Sequence, residues 1–267
     1  IISYNHYTDI YPIFKYKNIL YIYFNRAREC GFFDFTKFDI DEYEHYEQVE
    51  NGDLNWTLGN KFVAFAGPHA TRESHPGGYT SLCPEDYLSY FKRKNVKLVV
   101  RLNKKYYDAK KFTQNGIDHM ELYFLDGSNP PDHLLAKFLA KVESTDGCVA
   151  VHCKAGLGRT GCVIGCYMMK HYQCTAEEVI GWLRIARPGS IIGPQQQWLK
   201  EMQTRMWREG ELFRQKRGIP AIVPCGAAAS TQKHKVEPSV GANGRPGKAI
   251  NKSSSGYIMY WWYIFYV

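Results

Sequence analysis

The sequence predicts an α/β fold in which a mainly parallel sheet is flanked by helices. From residue 61 onward, short apolar runs of strand length alternate with segments that have helical periodicity. This alternation is the order that a parallel sheet with crossover helices requires. At 267 residues, of which 45% are hydrophobic, the chain is also long enough to enclose a full core.

Strands and helices follow one another in a regular order. Strands are predicted over residues 61–66, 97–102, 119–124 and 148–152, because these runs are apolar and short. Helices are predicted over residues 84–94, 108–115, 132–143, 159–172, 175–186 and 195–208. Before them, an acidic helix begins with Asp39 as its cap and Glu42 in the capping-box position, and ends at Asn51 and Gly52. Residues 51–60 are predicted to form a linker.

Charge and cysteine content exclude several classes of protein. The net charge is +8, but residues 216–252 hold seven Lys or Arg against one acid, whereas residues 39–53 hold seven acids and no Lys or Arg. A basic tail is typical of a solvated segment, so no nucleic-acid partner is expected. The eight cysteines form no C-x-x-C pair, which indicates a reduced, intracellular protein. The aromatic C-terminal run is too short to span a membrane.

The segment between Cys148 and Tyr172 contains the strongest chemical signal. A tight loop over residues 153–158 joins a buried strand to a helix, so its amides and the helix terminus can surround an anion. A thiol at Cys153 is expected to lose its proton readily there and to become a nucleophile. Arg159 offers a planar fork for two oxygens of a tetrahedral anion, and Thr160 can hydrogen-bond the sulfur as it leaves. Cys, five residues and Arg therefore predict attack on a phosphate.

Two other interpretations of the same segment were weighed. Gly156, Gly158 and Gly161 also spell G-x-G-x-x-G, the dinucleotide-binding pattern. The acids about twenty residues later, Glu177 and Glu178, open another helix, whereas that pattern requires them at the end of a second strand. The cysteine could also be a buried core thiol, as free cysteines often are. The neighbouring His, the glycines and the Arg favour the reactive thiol.

A phosphate-transferring thiol needs an acid that protonates the departing oxygen. Asp126 is the first choice, because it lies on a loop after a strand and Gly127 lets that loop move. Asp132 is the rival, although capping of the helix that it opens would also explain it. Gln195 and Gln196 begin a helix, where a side-chain amide can orient a water molecule. A plain polar first turn is the alternative for this pair.

Several strings in the chain resemble one family closely. V-H-C-K-A-G-L-G-R-T-G, F-L-D-G-S and R-P-G-S-I-I-G-P-Q-Q-Q are similar to the Cdc-fourteen dual-specificity protein phosphatases, and the match covers about residues 31–214. The resemblance implies a cysteine-phosphatase fold with two phosphatase-like domains joined by an acidic linker helix. With this resemblance, four parts are predicted: residues 1–50 as a remnant of the non-catalytic N-terminal domain, 51–60 as linker, 61–214 as catalytic domain, and 215–267, because of its Gly, Ala, Ser, Pro and Lys content, as a disordered basic tail with an aromatic end.

The resemblance also implies roles for single residues. The family's nucleophile falls on Cys153, its phosphate-binding arginine on Arg159 and its general acid on Asp126. Its water-orienting glutamine falls in the Gln195–Gln196 pair, with Gln196 as the catalytic choice. The remaining predicted substrate-binding residues are the loop positions Lys154, Ala155, Gly156, Leu157 and Gly158, together with Gln195, and an acidic groove that falls on Glu44, Glu47 and Asp53.

The function implied is hydrolysis of phosphoserine, phosphothreonine and phosphotyrosine in proteins through a phosphocysteine. The preferred sites would be phosphoserine-proline followed by Lys or Arg, the products of cyclin-dependent and other proline-directed kinases. No cofactor and no metal are implied, because Arg159 and the loop amides neutralise the phosphate charge. The implied locations are the nucleus, nucleolus, cytoplasm, mitotic spindle and centrosome. A phosphoinositide phosphatase and a non-catalytic phosphoprotein-binding module remain as alternatives.

Overall fold

A five-stranded sheet forms the centre of the molecule. The computed structural model describes residues 22–59, 61–74, 78 and 80–222. The predicted parts over residues 1–21 and 223–267 lie outside the described residues. The chain has two compact units, of which the first ends at Ile219, and the sheet belongs to the first unit. No helix in the described part of the chain combines the length and apolar character needed to cross a membrane.

The sheet has the strand order β1-β2-β7-β5-β6. β1 pairs antiparallel with β2, and the other neighbours pair in parallel. A separate two-stranded ribbon pairs β3 with β4. The strands are β1 (Leu54–Leu58), β2 (Phe62–Phe65), β3 (Glu73–Ser74), β4 (Thr80–Ser81), β5 (Val96–Arg101), β6 (Asp118–Glu121) and β7 (Cys148–His152). The prediction of a mainly parallel sheet flanked by helices is confirmed.

Helices cover both faces of the sheet, and each face has its own apolar core. On one face, Phe62, Val100 and Val151 pack with Leu139 and Met168. On the other, Phe65, Val99 and Ala150 pack with Phe91 and Phe112. The helices are α1 (22–29), α2 (Ile40–Tyr46), α3 (Pro84–Arg93), α4 (Lys110–Thr113), α5 (Asp132–Ser144), α6 (Gly158–Tyr172), α7 (Ala176–Ala186) and α8 (Gln195–Arg217). Because the central strands are buried on both faces, they consist of continuous apolar runs.

The N-terminal part differs from its prediction. The expected linker over residues 51–60 contains β1, an edge strand of the sheet. Helix α2 ends at Tyr46 and is followed by a 3₁₀ turn, so it is shorter than predicted. Asp39 caps α2 as expected, since its carboxylate accepts from the amide of Glu42 at 2.9 Å. The carboxylate of Glu42 does not complete a capping box. It accepts from Lys94 Nζ and from the Tyr90 hydroxyl, both at 2.8 Å.

Candidate active site

The predicted site lies at the carboxyl ends of the parallel strands, where loops from several strands meet. After β2, the amide of Gly67 donates to the carbonyl of Lys154 at 2.9 Å. After β5, the amide of Leu102 donates to the carbonyl of His152 at 2.9 Å. These bonds hold the loop of residues 153–158, here called the Cys153 loop, between its two neighbours. The predicted sequence of strand, loop and buried helix is therefore confirmed at this point of the chain.

Cys153 lies at the base of its loop, with 3% of its surface exposed. Its Sγ accepts a hydrogen bond from the amide of Gly156 at 3.2 Å. Helix α6 begins at Gly158, so the positive end of the helix adjoins the same loop. Backbone amides and a helix N-terminus stabilise a thiolate and also bind an anion. The surroundings of the sulfur are thus those that the nucleophile hypothesis requires.

Two glycines allow the backbone to approach the loop closely. Gly156 has φ +71°, and a Cβ at this position would lie 2.0 Å from the carbonyl oxygen of Phe65. A Cβ at Gly67 would lie 2.4 Å from the carbonyl oxygen of Cys153. Real Cβ atoms essentially never come that close to backbone oxygen, so each position requires glycine. Close packing of the β2 end against the Cys153 loop accounts for both residues.

Arg159 is buried beneath the loop, at 3% exposure. Its Nη1 donates to the carbonyls of Phe124 at 3.0 Å and Leu102 at 3.4 Å, which fixes the guanidinium plane. Its Nη2 lies 3.0 Å from Oδ1 of Asp126. Among the described residues, no acceptor is bonded to its Nε or to Thr160 Oγ1, although both atoms are buried. Nε and Nη2 form one edge of the guanidinium, which is the edge that suits two phosphate oxygens.

Asp126, the predicted acid, is therefore in contact with Arg159, the predicted phosphate-binding residue. Its side chain is 69% exposed, and it lies on the predicted loop after β6. The amide of Gly127 donates to its Oδ1 at 3.1 Å, and Gly127 has φ +74°. The carboxylate is attached to the rest of the protein mainly through Arg159, which suits a group that must exchange partners during a reaction.

Asp132, the alternative candidate for the acid, does not cap helix α5. It is the first residue of α5, and the cap position belongs to Pro131, which makes no side-chain cap bond. Oδ1 of Asp132 lies 2.7 Å from Nη1 of Arg205 on α8. The capping interpretation of Asp132 is therefore wrong. The exposed ion pair joins α5 to α8.

The two glutamines are placed differently. Gln195 is 1% exposed. Its Nε2 donates to the carbonyl of Ser128 at 3.3 Å, on the Asp126 loop. A Cβ added to Gly158 would lie 2.7 Å from its Oε1, so this side chain packs on the Cys153 loop. Gln196 donates to the carbonyl of Gly193 at 3.4 Å, a bond within its own turn. These contacts favour Gln195 over Gln196 as the amide beside the loop.

His152, next to the cysteine, is bonded to Tyr107, a residue that the sequence did not single out. His152 is fully buried, and burial lowers its pKa to about 3, so the ring is neutral. Its Nδ1 donates to the carbonyl of Cys153 at 2.9 Å, and its Nε2 accepts from the Tyr107 hydroxyl at 2.7 Å. His119 Nε2 lies 3.0 Å from the same hydroxyl. Burial also lowers the pKa of His119, to about 4.

Arg187 is the second residue that sequence reasoning missed. It lies just after α7 and is 2% exposed. Its guanidinium donates to the carbonyls of Ala155 and Gly156, both at 2.9 Å. It also bonds to Asn55 Oδ1 at 2.7 Å and to Asp53 Oδ1 at 2.9 Å. Arg187 is the first residue of the R-P-G-S-I-I-G-P-Q-Q-Q string, but no spacing in that string assigns it a place beside the Cys153 loop.

The predicted acidic groove is only partly assembled. Glu44 lies in α2 and Glu47 is its C-cap residue, close enough to interact; partial desolvation first, and then the charge of Glu44, raise the pKa of Glu47. Asp53 is engaged elsewhere. Its Oδ1 pairs with Arg187, and its own carbonyl accepts from the amide of Ala66 at 3.1 Å. Asp53 thus supports the Cys153 loop through Arg187, and its role as a substrate ligand stays a prediction.

Of the remaining loop positions, Lys154 and Ala155 are exposed, and Leu157 is half-buried. The described residues contain no cluster of three or more His, Cys, Asp or Glu side chains that could hold a metal ion. The groups that can hold an anion are the loop amides and Arg159, as the preceding geometry describes.

Comparison with known proteins gives one consistent result. Residues 84–205 match the family model described as dual specificity phosphatase, catalytic domain. The chain is 58% identical over 191 residues to human "Dual specificity protein phosphatase CDC14A", which is 72% of this chain and 32% of that protein. It is 53% identical over 183 residues to "Tyrosine-protein phosphatase cdc-14" of Caenorhabditis elegans, which is 68% of this chain and 26% of that protein.

A solved structure, that of PTPMT1, aligns with 60% of this chain and 99% of its own, at a TM-score of 0.49 and 20% identity. The matched curated relatives are longer than the aligned region. The chain spans about a third of the length of the human protein that it matches.

Proposed function

The chain belongs to the CDC14-type dual-specificity phosphatases over the region that it shares with them, and from this premise we propose that it hydrolyses phosphoserine, phosphothreonine and phosphotyrosine in proteins. One observation carries the proposal. Cys153 Sγ lies in a loop of amides directly before α6, and the Arg159 of that helix is bonded to the carboxylate of Asp126. A nucleophile, an anion-binding cation and an acid are thereby adjacent.

In the first step, the thiolate of Cys153 attacks phosphorus and forms an S–P bond. The bond between phosphorus and the substrate oxygen breaks, and that oxygen takes the proton of Asp126. The loop amides and the Nε–Nη2 edge of Arg159 hold the three equatorial oxygens, whose charge is largest in the transition state. The phosphate replaces the Asp126 carboxylate on Arg159, and the released, largely exposed carboxylate takes up a proton from the solvent before it donates that proton to the leaving oxygen.

In the second step, a water molecule attacks the phosphocysteine. Asp126, now a carboxylate, accepts a proton from the water as the S–P bond breaks, and inorganic phosphate leaves. The Gln195 amide supports this step through its position between the Asp126 loop and the Cys153 loop. The buried Thr160 hydroxyl is available to donate to the departing thiolate.

The test is release of phosphate from a phosphoserine-proline-lysine peptide in the presence of a metal chelator. We expect turnover by the wild-type chain and none by Cys153→Ser, which should still bind phosphate or tungstate because the loop amides and Arg159 remain. Residual activity of the variant within tenfold of wild type would contradict the role of Cys153. Binding of the peptide without turnover by the wild type would favour a phosphoprotein-binding module. Faster release from a phosphoinositide would favour the other alternative.

We further propose that phosphoserine-proline sites followed by Lys or Arg are preferred. The support is the pair formed by Glu44, in α2, and Glu47, its C-cap residue, which lie close enough for the charge of Glu44 to raise the pKa of Glu47. Asp53, which bonds to Arg187, follows after a 3₁₀ turn. Two carboxylates at this spacing can bind one cation. A location in the nucleus, cytoplasm, spindle or centrosome, and a role in the cell cycle, stay predictions from the resemblance.

Charge reversal tests this preference. In the wild type, kcat/KM for a Lys-containing peptide should exceed kcat/KM for an Ala-containing peptide by about 5- to 150-fold. In the double variant Glu44→Lys with Glu47→Lys, this ratio should fall to about one. Hydrolysis of a small aryl phosphate should barely change. Glu201→Lys with Glu211→Lys, at exposed positions of α8, changes the net charge equally and should leave the ratio intact. A wild-type ratio near one would show that the α2 acids are only a solvated face.

A further inference from the structure

The guanidinium of Arg187 binds four acceptors from two parts of the chain. Arg187 donates through Nε to the carbonyl of Gly156 and through Nη2 to that of Ala155. The other partners are the side chains of Asn55 on β1 and Asp53 just before it. Since a buried arginine costs free energy unless its donors are satisfied, this degree of pairing indicates a defined orientation. Two of the four bonds are made to the backbone of the Cys153 loop.

Those two bonds determine the direction of two consecutive peptide groups. A trans peptide is planar, and its N–H points opposite to its C=O. The carbonyl of Ala155 is bonded to Arg187, and the N–H of the same peptide, on Gly156, donates to Cys153 Sγ at 3.2 Å. The carbonyl of Gly156 is bonded to Arg187 as well, so the N–H of Leu157 points away from Arg187. Gly156 supplies the positive φ that this arrangement needs.

Arg187 also strengthens the N–H groups of these two peptides as hydrogen-bond donors. A donor bound to a carbonyl polarises the peptide, and its N–H becomes a better donor. The positive charge of Arg187 is compensated by Asp53 at 2.9 Å. The effect of the arginine on the loop is therefore orientation and polarisation of dipoles more than an added net charge. Asp53 is itself fixed through its carbonyl bond to the amide of Ala66.

We propose that Arg187 is a positioning residue for the phosphatase reaction, which turns the amides of Gly156 and Leu157 toward the thiolate and the phosphate oxygens. The inference rests on the proposed function, because it assigns those amides to the reaction. It adds a residue outside the C-x₅-R segment, held in place by residues of β1 that lie more than 130 positions earlier in the chain. The conformation of the Cys153 loop then depends on β7, which precedes it, and on Arg187 at the end of α7, which is itself bonded to β1.

The experiment compares Arg187→Lys and Arg187→Met with the wild type. Lysine keeps the charge but presents one donor atom where arginine presents a fork. We expect kcat/KM to fall roughly 100-fold in the Met variant, mainly in kcat, and by less in the Lys variant, because displacement of about 1 Å is that costly in a site. We also measure how the rate of Cys153 alkylation by neutral iodoacetamide depends on pH. In both variants we expect this pH profile to shift to higher pH. The label is quantified by mass spectrometry of the Cys153 peptide.

Arg214→Met is the matched control. Arg214 is also buried, at 5% exposure, and donates to the carbonyl of Lys170 at 3.3 Å. Lys170 lies about 18 Å along α6 from the Cys153 loop. This variant should lose stability without a change in the pH profile of alkylation. The proposal is overturned if both Arg187 variants keep the wild-type profile and a kcat within twofold of wild type.

A Lys variant that does not fold would also overturn the proposal, since it would assign Arg187 to stability alone. Failure of the proposed function has a different signature. If the wild-type chain releases no phosphate, that function is contradicted, whereas the alkylation profile still tests the positioning role because it needs no substrate.

Discussion

At the scale of single residues, the most informative contact is the bond between Asp126 and Arg159. The arginine is buried and fixed by two carbonyls, whereas the carboxylate is largely exposed on a loop that contains a glycine. Movement of Arg159 would break its bonds to the two buried carbonyls, whereas Asp126 can move without leaving a buried group unpaired. A phosphate that binds the same guanidinium edge would displace the acid and leave it beside the leaving oxygen. Anion binding and acid positioning are thereby coupled through one guanidinium.

Replacement of Asp126 by Ala tests its role as the acid. Hydrolysis of phosphoserine peptides should slow by about 100-fold or more, because serine is a poor leaving group without a proton. Aryl phosphates should be affected far less, since their leaving groups hardly need one. The measurement is kcat for both substrates. Asp132→Ala is the matched variant, because Asp132 pairs with Arg205 on the exposed surface, and it should leave both rates nearly unchanged. Equal losses on both substrates for Asp126→Ala would move the acid role elsewhere.

At the scale of elements, the site depends on how closely the end of β2 approaches the Cys153 loop. Gly67 donates to Lys154 and leaves no space for a side chain next to the Cys153 carbonyl. Gly156 similarly leaves no space next to Phe65. Two adjacent parallel strands, β2 and β7, thus determine the position of Cys153 through backbone contacts. Helix α6 completes the site by placing its N-terminus and Arg159 under the same loop.

Gly67→Ala should therefore lower kcat by more than a loss of folding stability would explain. A Cβ would lie 2.4 Å from the Cys153 carbonyl and 2.9 Å from His152 Nδ1, so the loop must shift. We expect a fall in kcat of roughly 100-fold for a displacement of about 1 Å. Gly116→Ala is the control. It has φ +79° but nothing within 4 Å of the added Cβ, so it should cost about 1 kcal/mol of stability and no activity. Equal activity of both variants would contradict the close-approach argument.

At the scale of the whole molecule, two buried neutral histidines make stability depend on pH. Burial lowers the pKa of His152 to about 3 and that of His119 to about 4. The unfolded chain, with ordinary histidine pKa values near 6.5, binds more protons than the folded chain below that pH. The free energy of unfolding should therefore be highest above about pH 6.5. It should fall as the pH drops from there toward 4.

The measurement is the free energy of urea unfolding at pH 6.5 and pH 4.5. His152 alone should account for a loss of about 2 kcal/mol over this interval. His119→Gln should reduce the pH dependence because one of the two groups is removed. His133→Gln, at an exposed position of α5, is the matched control and should leave the dependence as in the wild type. A wild-type stability that does not change with pH would contradict the buried neutral state of both rings.

Local patterns in the sequence were enough to predict the main strands and helices, because apolar periodicity reports which face each segment buries. The spacing of Cys153 and Arg159 was enough to predict the loop, since both residues belong to one strand-loop-helix unit. β1 escaped prediction because its buried Asn55 and Thr57 interrupt the apolar pattern of the strand. The Oδ1 of Asn55 accepts a hydrogen bond from Arg187, a residue at the end of α7 that is distant in the sequence.

The tertiary structure alone decided which side chains support the loop. Arg187 reaches Asp53 across 134 residues, and Trp182 donates to the carbonyl of Thr57 across 125. No local period or spacing encodes such pairs, since each forms only after the sheet and helices have packed. For the same reason, sequence assigned Asp53 to a substrate groove and Asp132 to a helix cap, whereas packing gave each an arginine partner. The chain encodes its reactive groups locally, and their orientation is a property of the folded molecule.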